Sequence, residues 1–118
     1  MLAFKYRFHG HNSLRFVYKN GQAERTRLIT LKSVTNPHRK DSRVAVVISK
    51  KVIKSAVGRN RVRRRLYERI RVRLDRLDRP TDLVFLVFSA EVRTMDTEDL
   101  DALVEQLFTS IEHYKSAS

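Results

Sequence analysis

Residues 50–76, KKVIKSAVGRNRVRRRLYERIRVRLDR, constrain the fold more than any other part of this chain. They hold twelve of its 25 Lys and Arg, against only Glu68 and Asp75. Through the same stretch runs an apolar stripe, Val62, Leu66, Ile70, Leu74 and Leu77, at helical spacing. A purely solvated segment has no use for the stripe, and a purely buried one has no use for the guanidinium groups. The pattern predicts a helix from about Ala56 to Leu74, with one side in the core and the other offered to a polyanion. On a helical wheel Asn60, Arg61, Arg64, Arg65 and Arg71 lie largely opposite the stripe. Arg59 and Arg63 fall at its margins, where long stems cover core edges.

The charge is unevenly divided. Residues 1–77 carry 22 basic and 4 acidic side chains, a net +18, whereas residues 78–118 carry 3 and 9, a net −6. The basic surface is therefore expected from the first two thirds, with the last third facing elsewhere. An excess of this kind bears on partners rather than on fold, and nucleic acid is the first candidate. A chain of 118 residues predicts one domain, 1–118, with residues 1–11 as a basic and aromatic arm. With no cysteine there is no disulfide, thiolate zinc site or thiol nucleophile. No apolar run approaches a membrane span, and the N-terminus lacks the apolar core of a secretory signal, so a cytoplasmic protein is expected.

Around the basic helix the remaining elements can be placed. Asn12 or Ser13 is suited to cap a short helix through Tyr18 or Lys19, with Leu14, Val17 and Tyr18 on one face. Gly21 then suits a left-handed turn. Residues 24–34 read as a strand with Ile29 and Leu31 on one face and Leu28, Thr30 and Lys32 on the other, and a shorter strand can precede it near Gln22–Arg25. Residues 36–41 form a turn around Pro37. Residues 43–49, RVAVVIS, and 82–88, DLVFLVF, are nearly continuous apolar runs, the pattern of strands covered on both faces. Gly58 marks either close packing or close approach of RNA. Asp96 or Thr97 opens a last helix to about Tyr114, with Leu100, Leu103, Val104, Leu107, Phe108 and Ile111 in register. The order helix, strands, helix, strand, helix predicts an α+β domain with one parallel strand pair.

Three groups of residues point to chemistry. The guanidinium face of the long helix presents forked donors for phosphate, and Asn60 adds a donor and an acceptor. Ser49, Lys50 and Lys51 lie at a strand end just before a helix N-terminus, a natural phosphate site. Phe4, Tyr6, Phe8, Phe16 and Tyr18 alternate with Lys5, Arg7, Arg15 and Lys19, which fits either base stacking or packing against the sheet. Catalytic signals are missing: His9, His11, His38 and His113 have no metal-ligand spacing, and there is no P-loop, nucleophile elbow or carboxylate pair. Asp96, Asp99 and Asp101 are explained by a helix start.

The ordered run Val46-Val47-Ile48-Ser49-Lys50-Lys51-Val52, then Ala56-Val57-Gly58-Arg59-Asn60-Arg61-Val62-Arg63-Arg64-Arg65-Leu66, resembles the protein subunit of bacterial ribonuclease P. Leu14 to Gly21 resembles that family's first helix, and Arg27 to Val34 its long strand. The resemblance implies a single-domain α/β sandwich akin to a ribosomal-protein domain, with an unusual left-handed crossover. It implies that a catalytic RNA subunit holds the active site, with Mg²⁺ bound mainly by RNA and substrate, and no catalytic or metal-binding residue in the protein. Partners would be that RNA and precursor tRNA, with neither DNA nor membrane expected. Lys50, Lys51, Arg59, Asn60, Arg61, Arg64 and Arg65 would bind RNA; Phe16, Tyr18, Lys32 and Ser49 would line or rim a cleft for the 5′ leader. A ribosomal or assembly RNA-binding protein without a nuclease role is the alternative. The chain departs from the family pattern at Leu14, where an aromatic is usual, at Ile53, where Gly is usual, and at Phe88, where a basic residue is common.

Overall fold

The computed structural model describes Phe8 and residues 11–115. Apart from Phe8 and His11, the expected arm lies outside the described residues, Phe4, Tyr6 and His9 included. The elements are α1 (His11–Asn20), β1 (Gln22–Arg25), β2 (Ile29–Thr35), β3 (Arg43–Ile48), α2 (Ala56–Arg71), β4 (Thr81–Val87) and α3 (Thr97–Thr109). Single 3-10 turns follow α2 at Leu74–Arg76 and precede α3 at Ala90–Arg93.

Four strands form one sheet in the order β1-β2-β4-β3. β2 pairs antiparallel with β1 and β4, and β3 lies parallel to β4 through the α2 connection. The predicted parallel pair and α+β class are therefore present. The shorter strand expected near Gln22–Arg25 is present as β1, and the strand expected over 24–34 begins only at Ile29, with a turn at 26–28 between the two. There Thr26 closes a hairpin: its hydroxyl accepts from the Ile29 N–H (3.0 Å) and donates to the Ile29 carbonyl (2.6 Å), while its own N–H reaches the same carbonyl. The bend also carries Leu28 into the main core rather than to the opposite face.

Only one of the two apolar runs is a central strand. β4 is buried from Thr81 to Phe85 and again at Val87. β3 is a sheet edge. Its Val44, Val46 and Ile48 enter the core with Leu83, Phe85 and Val87 of β4, but Ala45 and Val47 are only half-buried. The reason is the position of α1, which packs over β2 and β4 and buries Val17 there. The face of β3 beside α1 thus stays partly open.

α2 and α3 cover the other face. Val62, Leu66 and Ile70, all fully buried, meet Leu100, Val104, Leu107 and Phe108 above the sheet, and Phe85, Phe108 and Tyr114 stack in a chain with centroids 6.0 and 5.1 Å apart. Each such aliphatic burial contributes roughly 1.5–3 kcal/mol.

Several boundaries differ from expectation. α1 begins at His11, so Asn12 and Ser13 lie inside it. α2 is capped by Ser55, whose hydroxyl accepts from the Gly58 N–H at 2.9 Å. It ends at Arg71, and Leu74 enters the core from the 3-10 turn. Asp96 occupies the position before α3 without a side-chain cap, and the helix stops at Thr109. Neither Gly21 nor Gly58 acts as a left-handed residue. At Gly21 a Cβ would lie 2.6 Å from the Val17 carbonyl oxygen and 3.0 Å from that of Ser33, so close packing of α1 on β2 requires it. At Gly58 it would lie 2.8 Å from Ile53 Cγ2 and 2.9 Å from Ser55 Oγ, so close packing of the capped loop accounts for a glycine here.

Candidate nucleic-acid interface

β3 ends at Ile48, and the chain turns at once: the Ser49 carbonyl accepts from the N–H groups of Val52 (3.1 Å) and Ile53 (3.2 Å). Ile53 is buried in the core and anchors the loop from below. Ser49, Lys50, Lys51 and Lys54 are left exposed beside the first turn of α2. Arg59 folds back and donates to the carbonyls of Ile53 (3.0 Å) and Lys54 (2.9 Å), fixing the loop to the helix. Lys50 and Lys51 are thereby held next to the helix N-terminus, where the backbone dipole also favours anions.

The arginines of α2 fall into three groups. Arg61 and Arg64 are exposed, and among the described residues neither has a side-chain partner. Asn60 is exposed and accepts from Arg63 at 3.1 Å; Arg63 also reaches the Val46 carbonyl on the open edge of β3. Arg65 turns inward: it donates to the carbonyls of Val92 (2.7 Å) and Arg93 (3.0 Å), and to that of Met95. Arg65 therefore braces the segment between β4 and α3, a role that a wheel drawn from α2 alone could not reveal.

Farther along, acids of α3 and Glu68 of α2 itself pair the arginines at and just beyond the end of the helix. Buried Arg73 donates to both carboxylate oxygens of Asp101 (2.9 Å each) and to Glu105 (2.7 Å), while Arg69 lies 3.9 Å from Asp101 and Arg71 pairs with Glu68 at 3.1 Å. The hydrogen bond from Arg73 holds the Asp101 carboxyl below its usual range. The acidic third of the chain thus does not simply face elsewhere: with Glu68 of α2 it pairs Arg69, Arg71 and Arg73 at and just beyond the far end of the basic helix. What remains open is its near half with the Ser49–Lys51 loop, and this concentrates the field at one end.

The four residues expected at a cleft do not form one pocket. Tyr18 and Lys32 meet: Lys32 Nζ lies 5.6 Å from the Tyr18 ring centre and 3.3 Å from its carbonyl. Phe16, 53% exposed, points away toward Asn36, Pro37, His38, Arg43 and Asp82. Ser49 lies beyond the opposite end of β3, roughly 20 Å along the strand from Arg43. Of the four, the structure brings together Tyr18 and Lys32 and leaves Phe16 and Ser49 apart from them. Exposed Phe88 follows Val87, the register partner of Ile48, and so stands next to Ser49 at that end of β3.

At the other end is a pair the sequence did not reveal. Arg43 Nε and Nη2 donate to the two oxygens of Asp82 at 3.0 and 2.7 Å, with both side chains buried, and Asn36 donates to the same carboxylate. Arg43 looked like the polar start of an apolar strand; only its pairing with a residue 39 positions later accounts for it.

Among the described residues no three His, Asp or Glu side chains are grouped to hold a metal ion. Asp82, Glu91, Asp101, Glu105 and Glu68 are each engaged by an arginine. No described helix is long and apolar enough to cross a membrane.

The protein is thus an α+β sandwich that presents an exposed arginine face and a lysine loop side by side. Residues 2–112 match the model of the family described as Ribonuclease P, and the chain belongs to that family. It is 37% identical over 79 residues to the ribonuclease P protein component of Coxiella burnetii (strain Dugway 5J108-111), which covers 67% of this chain and 64% of the relative. It is 37% identical over 86 residues to that of Synechococcus sp. (strain CC9902), covering 71% and 65%. The aligned part thus spans just under two thirds of these relatives. The fold matches the RNase P protein of Staphylococcus aureus with a TM-score of 0.80 at 20% identity, over 93% of this chain and 98% of that one. It matches the protein from Thermotoga maritima with a TM-score of 0.78 at 20% identity, over 90% and 97%.

Proposed function

We propose that this chain is the protein subunit of a ribonuclease P holoenzyme in the cytoplasm, assisting endonucleolytic removal of the 5′ leader from precursor tRNA. One observation carries this reading. The near half of α2 and the Ser49–Lys51 loop keep their positive charge, while Glu68 and the acids of α3 pair the arginines at and just beyond the far end of the helix. The open part, Lys50, Lys51, Asn60, Arg61 and Arg64, docks on the catalytic RNA. Arg59 contributes whatever donors its loop contacts leave, and Arg65 acts mainly by holding its neighbours. Tyr18 and Lys32, with Phe16 and Ser49 farther out, take the single-stranded leader through stacking and phosphate contacts.

The protein's contribution is electrostatic and positional. It brings two polyanions together and supplies no nucleophile. The carboxylates occupied by arginines are a poor donor set for Mg²⁺, which supports the reading that RNA and substrate bind the ion. A lower Mg²⁺ requirement follows, because fixed cations replace part of the ionic screening.

Reconstitution tests the reading. The chain is mixed with a bacterial ribonuclease P RNA and precursor tRNA at low Mg²⁺. Stimulated cleavage at the mature 5′ end is expected. No stimulation, together with tight binding to ribosomal RNA, overturns the reading in favour of a ribosome-associated protein.

A further inference from the structure

Residues 78–118 hold only three basic side chains, Arg79, Arg93 and Lys115. Lys115 is paired with Asp78 at 3.2 Å. Arg93 is placed differently. It ends the 3-10 turn Ala90–Arg93, which packs against α2. Its Nη1 lies 3.4 Å from the position that a Cβ on Gly58 would take, so the guanidinium rests on the first turn of α2, just ahead of Arg59, Asn60 and Arg61. We infer that Arg93 is a further contact for the catalytic RNA, a phosphate-binding cation that the segment between β4 and α3 adds to the exposed arginine face of α2.

The backbone around Arg93 is fixed from three sides. Val92 is fully buried, the Ser89 hydroxyl accepts from the Glu91 N–H at 3.2 Å, and Arg65 donates to the carbonyls of Val92, Arg93 and Met95. Arg65, itself withdrawn from the exposed face, thus sets where Arg93 stands. Gly58, Arg61 and Arg65 follow one another at helical spacing along one flank of α2. The 90–95 segment touches the first and the last of them, so Arg93 lies on the flank that carries Arg61. With no side chain at residue 58, the guanidinium can come up against the helix. The charge there is unanswered. Arg93 is exposed, and among the described residues its side chain has no hydrogen-bond or ion-pair partner. Glu91, two residues earlier, is taken by Arg27 at 2.8 and 3.0 Å. A cation beside the positive end of a helix dipole, with Arg61 on the same flank, is unfavourable in the free protein and becomes favourable when a phosphate binds. The guanidinium fork matches phosphate oxygens and reads no base, so the contact positions the RNA without regard to sequence.

This inference rests on the docking of α2 on a ribonuclease P RNA, and the test separates the two. Binding of the full chain to a bacterial ribonuclease P RNA is measured over a range of salt for the wild type, Arg93→Ala, Arg93→Lys and Arg93→Glu, with urea unfolding of each in parallel. Arg93→Ala weakens binding about two- to fivefold, the range of an exposed ion pair. It also makes the slope of log K against log salt shallower by about 0.7–0.9, one phosphate contact, and leaves the urea midpoint where it was. Arg93→Lys keeps the wild-type slope. Arg93→Glu weakens binding more than Arg93→Ala without lowering the urea midpoint, because a carboxylate suits the N-terminus of α2. A wild-type slope in Arg93→Ala, whatever its urea midpoint, overturns the role of Arg93 alone. A wild type that binds ribonuclease P RNA no better than ribosomal RNA of the same length overturns the function proposed above, and the role of Arg93 with it.

Discussion

Replacing Arg65 with Ala removes a cation that holds three backbone carbonyls, those of Val92, Arg93 and Met95. A hydrogen bond from a charged donor contributes about 1.5–3 kcal/mol, and its loss leaves the acceptor unpaired. The three share one guanidinium at a partly exposed site, so they do not add. A net loss of about 2–3 kcal/mol is expected, which for a chain of this length lowers Tm by roughly 8–15 °C. Urea and thermal unfolding measure it. Arg64→Ala, one residue earlier and without a described partner, should change stability by less than about 0.5 kcal/mol. Arg65→Lys should recover only part of the loss, since an ammonium cannot reproduce the fork. If Arg65→Ala is as stable as wild type and binds RNA as poorly as Arg64→Ala, the brace is refuted and Arg65 belongs to the RNA face.

Gly58→Ala should destabilise the protein by about 1–2 kcal/mol in urea unfolding, because displacing buried Ile53 and the Ser55 cap outweighs the roughly 1 kcal/mol gained in helix propensity; a stabilised variant would refute the close approach. His113 touches Thr81 at 2.6 Å, and burial, then Arg79, lowers its pKa against the opposing pull of Asp78 and Glu112. The folded state therefore binds this proton less readily than the unfolded chain, so its contribution is present above about pH 6.5 and lost as pH falls through the folded value. His113→Gln should flatten the stability profile below about pH 6.5; an equally steep profile assigns the slope to other groups.

The apolar stripe of α2 was legible because Val62, Leu66 and Ile70 recur at a fixed helical period, and the same held for Leu100, Val104, Leu107 and Phe108. Pairing was harder. RVAVVI and DLVFLV look alike as strings, yet one is an edge and the other central, and only the placement of α1 distinguishes them. The Thr26 hairpin escaped because a threonine reads as a strand former until its hydroxyl finds the Ile29 backbone. At the candidate site, exposure of Arg61 and Arg64 followed from the wheel. The inward turn of Arg65, the capture of Arg73 by α3 and the Arg43–Asp82 pair did not, since each depends on a partner 27 to 39 residues away.

The division of α2 into an open and a neutralised half is tested most directly by the salt dependence of binding to a ribonuclease P RNA. With about six phosphates engaged, wild-type affinity should fall on the order of a thousandfold between 50 and 200 mM salt. The double variant Arg61→Ala, Arg64→Ala should make the slope of log K against log salt shallower by roughly 1.4–1.8, at about 0.7–0.9 per lost phosphate contact. Arg69→Ala, Arg71→Ala, the same change of charge in the half paired by Glu68 and Asp101, should leave the slope near wild type. Equal effects from the two pairs, or no change from Arg61 and Arg64, would contradict the division.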